Sequence, residues 1–257
     1  MGLGALVAAA ALLASPQQYL VSHQLPNGGF AEPGGKADVT LTAWAVLGLR
    51  AAGATVDDGY LRAHEPELQT PTAVALGVLA EGRPSDSLLA RLERGPSGPQ
   101  LNSTAWKLLA LAQAGRPRPR AAVRYLLAHQ ARDGGWSWAP RVAPDSNDTA
   151  VAVEALRAWG VSGRPIRRGL AFLRRLQNHD GGFELTPARG SDAQSTAWAI
   201  QAFLAARARP GRAAYRYLAR LRRPDGSYRY TARYGITPVW VTAQVLPALA
   251  GRPFPLR

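Results

Sequence analysis

The chain has 257 residues, 47% of them apolar, which is enough for one substantial core and argues against a disordered polymer. Its formal charge is +14, with Lys36 and Lys107 the only lysines, and it contains no cysteine, which excludes disulfides, thiolate zinc sites and a cysteine nucleophile. His23, His64, His129 and His179 lack the paired helical spacing of a zinc motif, so neither metal nor cofactor is expected.

The chain begins with an apolar run, MGLGALVAAAALLA, too short to span a bilayer. It resembles the hydrophobic part of a secretory signal, although a basic leader is missing and Ser15-Pro16 is a poor cleavage junction. Residues 1–15 therefore read as a signal or N-terminal extension and 16–257 as one domain, with a secreted or extracytoplasmic location as the expectation and a cytoplasmic one as the alternative.

From residue 19 onward the dominant signal is internal repetition. Four segments align without gaps, at Tyr19–Phe30, Tyr125–Trp136, Phe172–Phe183 and Tyr217–Tyr228. Each opens on an aromatic-Leu helix pattern, turns at Asn-Gly or Asp-Gly and ends in an aromatic, and the first three carry Gln24, Gln130 and Gln177. A second element, Thr-Ala opening an apolar run, occurs at Thr42, Thr72, Thr104, Thr149, Thr196 and Thr242. Breakers such as Gly115-Arg-Pro117 and Gly163-Arg-Pro165 follow these runs. Asp57–His64, Ser85–Glu93, Arg120–Gln130 and Arg167–Gln177 supply preceding helices, so the chain reads as six helical hairpins.

Within each hairpin the first helix carries arginines and has a wet face, whereas the Thr-Ala helix is nearly apolar. That difference predicts an outer and an inner layer, stacked as a solenoid or closed into a ring. Six helices spaced about 8 to 10 Å apart around a ring leave a central hollow of roughly 4 to 5 Å radius. A slender apolar ligand fits such a hollow, and large side chains can fill it.

The recurring Gln-x-x-Asp/Asn-Gly-Gly-aromatic run ahead of Thr-Ala helices resembles the QW-type repeat of squalene-hopene cyclases. The wider group includes terpenoid cyclases, protein prenyltransferase β-subunits and cobalamin carriers. The resemblance implies an all-α fold, an α/α toroid of six hairpins, with the repeated Gln, Gly and aromatic residues as fold markers. Type II terpene cyclases carry Asp-x-Asp-Asp-Thr-Ala, whose second Asp protonates the alkene or epoxide. Here the run is Asp145-Ser146-Asn147-Asp148-Thr149-Ala150, and an amide cannot donate that proton. Asp148, or Asp145, is the remaining catalytic candidate, provided burial lets it hold a proton.

A competing reading comes from the repeats themselves. Asp38, Asp145 and Asp192 all stand four residues before a Thr-Ala, the place of an N-cap, and Asp148 can serve as the acidic partner of such a cap. Asn147, Asp38, Asp192, Trp138, Glu184 and Tyr230 are the candidate ligand-binding residues, since all fall near helix starts or repeat turns. Trp44, Trp106 and Trp198 share one helical phase two residues beyond a Thr, which suits a common packing role. The expected function is binding of an apolar, isoprenoid ligand in a central cavity without type II protonation. The alternatives are a terpene cyclase using Asp148 and a cobalamin-carrier-like binding protein. Runs such as Arg116–Arg120 and Arg220–Arg223 are expected to form a basic surface able to meet an anionic membrane, and no nucleic-acid motif accompanies them.

Overall fold

The computed structural model describes residues 14–95 and 100–256, so the apolar run 1–14 lies, but for Ala14, outside the described residues. Among the described residues, six outer helices alternate with six inner ones. The outer set is α1 (Pro16–Val21), α3 (Gly59–Ala63), α5 (Asp86–Arg94), α7 (Arg120–Ala128), α9 (Arg164–Arg175) and α11 (Arg212–Leu221). The inner set is α2 (Val39–Ala51), α4 (Pro71–Ala80), α6 (Leu101–Gln113), α8 (Ser146–Ala158), α10 (Ala193–Ala205) and α12 (Pro238–Leu249). Inner helices pack in the order α2, α4, α6, α8, α10, α12, and α12 packs back on α2. The fold is an all-α toroid.

Six of the described helices, α1, α2, α4, α5, α8 and α10, start where the side chain of the N-cap residue satisfies a free N–H group. Asp38, Asp145 and Asp192 accept from the N–H groups of Leu41, Asp148 and Ser195 at 2.7, 2.8 and 2.7 Å. Thr70 and Ser85 do the same for Ala73 and Leu88, and Ser15 forms a reciprocal capping box with Gln18. The inner helices are buried nearly all round because they touch two inner neighbours and an outer helix. Where the ring closes, Gly48 lets α2 approach α12 closely, since a Cβ there would lie 2.5 Å from the Ala243 carbonyl oxygen.

The repeat turns are built alike. The Gln24, Gln130 and Gln177 amides donate to Gly28, Gly134 and Gly181 carbonyls at 2.8 to 3.0 Å, closing each turn on itself. Gly134 has φ of +96° and sits so close to the next outer helix that a Cβ would be 2.6 Å from the Arg168 carbonyl. Phe30, Trp136, Phe183 and Tyr228 are buried, and each backbone N–H donates to a threonine hydroxyl of the following inner helix. Those acceptors are Thr42, Thr149, Thr196 and Thr242, at 2.8 to 3.0 Å. The Thr-Ala signal is thus the socket of the turn.

Counting from the N-cap exposes one misread repeat. Thr42, Thr104, Thr149 and Thr196 stand four residues after Asp38, Gln100, Asp145 and Asp192, whereas in α4 the position four after Thr70 is Val74. Thr72 therefore falls two residues earlier in the helix and bonds to Asn102 instead of a turn. The predicted helix over Asp57–His64 is also shorter, ending at Ala63 and followed by a 3-10 turn at Glu65–Glu67.

Replacing Thr196 by Val leaves the buried Phe183 N–H without its acceptor and is expected to cost about 1–3 kcal/mol. Thr72→Val breaks only a 3.3 Å contact and is expected to cost less than about 1 kcal/mol. Urea unfolding of the two variants checks the contrast, and Thr196→Ser is expected to restore most of the loss.

Candidate functional site

The register just described decides which side chains meet at the ring centre. Positions two after the cap are Thr40, Thr72, Asn102, Asn147 and Gln194, and positions six after it are Trp44, Leu76, Trp106, Val151 and Trp198. With Gln244 of α12 these residues line a pocket of about 350 Å3 that draws on all six inner helices. Its upper layer is hydroxyls and amides. Its floor is aromatic.

Trp44, Trp106 and Trp198 meet edge to face, with ring centroids 5.4 to 5.9 Å apart. Their shared phase does produce packing, but with one another across the ring axis. Phe254 supports all three from below at 6.0 to 6.5 Å, held by its N–H donating to the Glu154 carboxylate at 2.8 Å. Burial pushes the Glu154 carboxyl well above the usual carboxylate range. The centre of the ring is therefore plugged at its lower end and hollow above the tryptophans.

Asn147 lines the pocket at the position where the type II motif carries its proton donor. Asp148, the next residue, points sideways between α8 and α6, is 6% exposed, and accepts from the Asn102 amide at 2.5 Å. Burial, then the charge of Asp145 and a hydrogen bond with it, push its carboxyl up to about 8, against a lowering by Asn102. Asp148 is outside the pocket wall, and Asn102, its partner, is part of that wall. Asp145 caps α8.

Of the other predicted site residues, none lines this pocket. Asp38 is an exposed cap, and Asp192 is a buried cap whose carboxylate also accepts from the Ser195 hydroxyl, with burial raising its pKa. Glu184 accepts from the Gly190 N–H at 2.9 Å within its own loop. Trp138 and Tyr230 use their backbones: the Trp138 carbonyl accepts from Asn102 N–H at 3.2 Å and the Tyr230 carbonyl from Ala193 N–H at 2.8 Å. Leu185 does the same for Ser146 at 3.0 Å, and the Glu32 carboxylate closes the circuit on the N–H groups of Val239 and Trp240. Each loop thus caps the inner helix of the preceding hairpin, so the loops ring the mouth above the pocket.

Thr40, Asn102, Gln194 and Gln244 were not singled out from sequence, and Thr72 reads there as a repeat marker and not as a pocket residue. Thr40, Thr72, Asn102 and Gln194 share an offset of two residues from a helix cap, and Gln244 stands two residues after Thr242; those offsets are the signal that could have found them. Gln244 accepts from Trp198 Nε1 at 2.8 Å and from Gln194 at 3.1 Å, while its own buried Nε2 has no partner among the described residues. No charged side chain lines the pocket, and among the described residues no acidic or histidine cluster is arranged to hold a metal ion.

No family model matches the chain. A drimenyl diphosphate synthase from Streptomyces showdoensis is 32% identical over 127 residues, covering 48% of this chain. The chain spans only 22% of that relative's length. Among solved structures, a glycosidase superposes with a TM-score of 0.66 at 13% identity, covering 92% of this chain and 94% of its own. The type II terpene cyclase MstE from Scytonema, in complex with geranylgeranyl dihydroxybenzoate, gives 0.53 at 16% identity, covering 92% and 95%. At these identities the superpositions speak for the fold alone. The chain is thus similar in fold to all-α toroids that include a glycosidase and a type II terpene cyclase, and over 127 residues it is similar in sequence to a drimenyl diphosphate synthase.

Proposed function

We propose that the chain binds a neutral isoprenoid in the central pocket and does not protonate it by the type II route. The observation that carries this reading is Asn147: the side chain facing the pocket where an acid would have to stand is an amide. The tryptophan floor offers aromatic faces to a hydrocarbon, and the threonine, asparagine and glutamine layer above it can hydrogen-bond a hydroxyl or carbonyl group. Because neither Arg nor Lys lines the wall, a diphosphate is a poor match for the interior, which favours an alcohol, ketone or hydrocarbon. The volume of about 350 Å3 lies near the small end of the roughly 300–1,000 Å3 typical of ligand pockets. The isoprenoid class is supported by the partial likeness to a drimenyl diphosphate synthase.

A second reading is acid catalysis by Asp148. A carboxyl held near 8 is protonated at neutral pH, and its partner Asn102 borders the pocket. On this reading the reaction is a terpene cyclisation begun by Asp148, with turnover declining as pH rises past about 8 and the proton is lost.

Solvent extraction of the purified protein followed by mass spectrometry is expected to release a neutral isoprenoid. The pocket-filling variant Val151→Trp, which crowds the wall without opening a cavity, is expected to release none. A corrinoid in the extract would instead favour a cobalamin-carrier-like role, and an empty wild-type protein would remove the ligand reading.

Incubation with squalene and polyprenyl diphosphates tests the second reading: product that disappears in Asp148→Ala supports it, and no product from the wild type sinks it. Stability gives an independent check on the proton. The folded chain keeps a proton that the unfolded chain releases near pH 3.8, so Asp148 contributes a loss of stability as pH rises from about 4 to 8. The slope is at most about 1.4 kcal/mol per pH unit for one proton. Asp148→Asn, which keeps the shape of the protonated acid, is expected to flatten that part of the stability profile in denaturant titrations.

A further inference from the structure

The positive charge of this protein is unevenly placed. Residues 118–257 hold 23 of the 29 arginines against eight acidic residues, whereas residues 1–117 are close to neutral. Several of these arginines have structural work. Arg168 donates to the Ala131 and Arg132 carbonyls at 2.8 and 2.6 Å, and Arg175 to the Asp133 carbonyl at 2.7 Å, tying α9 to the preceding turn. The arginine runs on the outer helices are therefore partly engaged with their own backbone.

The mouth loops of hairpins four and six are different. Loop 137–144 carries Arg141, and loop 229–237 carries Arg229 and Arg233, with no acidic residue in either. Arg141 and Arg233 make no side-chain hydrogen bond or ion pair among the described residues. Beside them stand Trp138, Val142, Tyr234 and Ile236, exposed by 51%, 52%, 60% and 59%. These are four of the six exposed large apolar side chains among the described residues, so the exposure is concentrated on two loops. Loop 184–191, with Arg189, lies between them, and all three are bonded to inner-helix N-termini at the mouth.

Exposed Trp, Tyr, Ile and Val interspersed with unpaired Arg are costly in water and suited to the headgroup boundary of a bilayer, where rings and aliphatic chains bury and guanidinium groups meet phosphates. A nucleic acid would use the cations and leave the aliphatic side chains without a role. No helix among the described residues is long and apolar enough to cross a membrane. We infer that loops 137–144 and 229–237 dock the mouth of the toroid onto an anionic lipid bilayer. Docked this way, the pocket opens toward the bilayer, and an apolar ligand passes between lipid and tryptophan floor without crossing bulk water.

Sedimentation of the full chain with phosphatidylcholine vesicles, with and without phosphatidylglycerol, tests this. The protein is expected to pellet with the anionic vesicles only, and less as salt is raised. Arg141→Ala and Arg233→Ala are each expected to lower partitioning roughly fivefold. Trp138→Ser combined with Ile236→Ser, both at exposed positions, is expected to abolish pelleting with the circular dichroism spectrum unchanged. Failure to pellet with anionic vesicles, undiminished pelleting of the Trp138→Ser/Ile236→Ser protein, or displacement from vesicles by duplex DNA at low molar ratio would each overturn the inference. Val151→Trp, whose pocket is filled, is expected to pellet like the wild type, so docking and ligand binding fail separately.

Discussion

The ring depends on one hydrogen bond repeated around it, from the backbone N–H of a turn aromatic to the hydroxyl of a threonine on the following inner helix. Four hairpins make it, at Thr42, Thr149, Thr196 and Thr242. A buried N–H with no acceptor costs about as much as several good contacts supply, so the threonine is held to one rotation of its helix. At Thr42, Thr149 and Thr196 that rotation sends the residues two before and two after it to the ring axis, and at Thr242 it sends Gln244, two residues after, to the same place. Most of the polar layer, and Trp44 and Trp198 of the floor, follow from this single constraint.

The same constraint explains the chemistry at the pocket. A residue at the position of Asn147 must face the axis, whatever its type, whereas its neighbour at Asp148 must face the seam between α8 and α6. An acid in the first place addresses a ligand directly. One in the second addresses Asn102 and Asp145, and burial there holds its proton near pH 8. Chemistry at the axis and chemistry at the seam are thus separated by one residue, which makes the exchange of Asp for Asn at 147 decisive for the proposed mode of action.

Hairpins, layers and ring order were legible because they rest on local signals: breakers, Thr-Ala pairs and glycine turns at regular spacing. Register was less so. Thr72 carries the Thr-Ala letters, but no aromatic turn precedes it, and without that partner the helix is set by its cap at Thr70 instead. Trp138 and Tyr230 drew attention as aromatic side chains, yet the bonds that place them are made by their carbonyl groups, which no sequence pattern encodes. The plug beneath the pocket was invisible for a different reason. Phe254 and Glu154 are 100 residues apart; Phe254 lies beyond the last inner helix, and Glu154 has no acidic counterpart in the other inner helices.

Polarity is sorted along the ring axis, and the sorting has a physical logic. Below the tryptophans Glu154 is neutralised by burial and tied to Phe254. At pocket level every polar group is an uncharged hydroxyl or amide, so the wall can hydrogen-bond without the desolvation cost of a buried ion. Above the pocket, Arg141, Arg229 and Arg233 bring positive charge to the mouth, where water or lipid phosphate can solvate it. A ligand that enters from the mouth therefore loses charged surroundings before it meets the floor, and a neutral, largely apolar molecule is the one that loses least on that path.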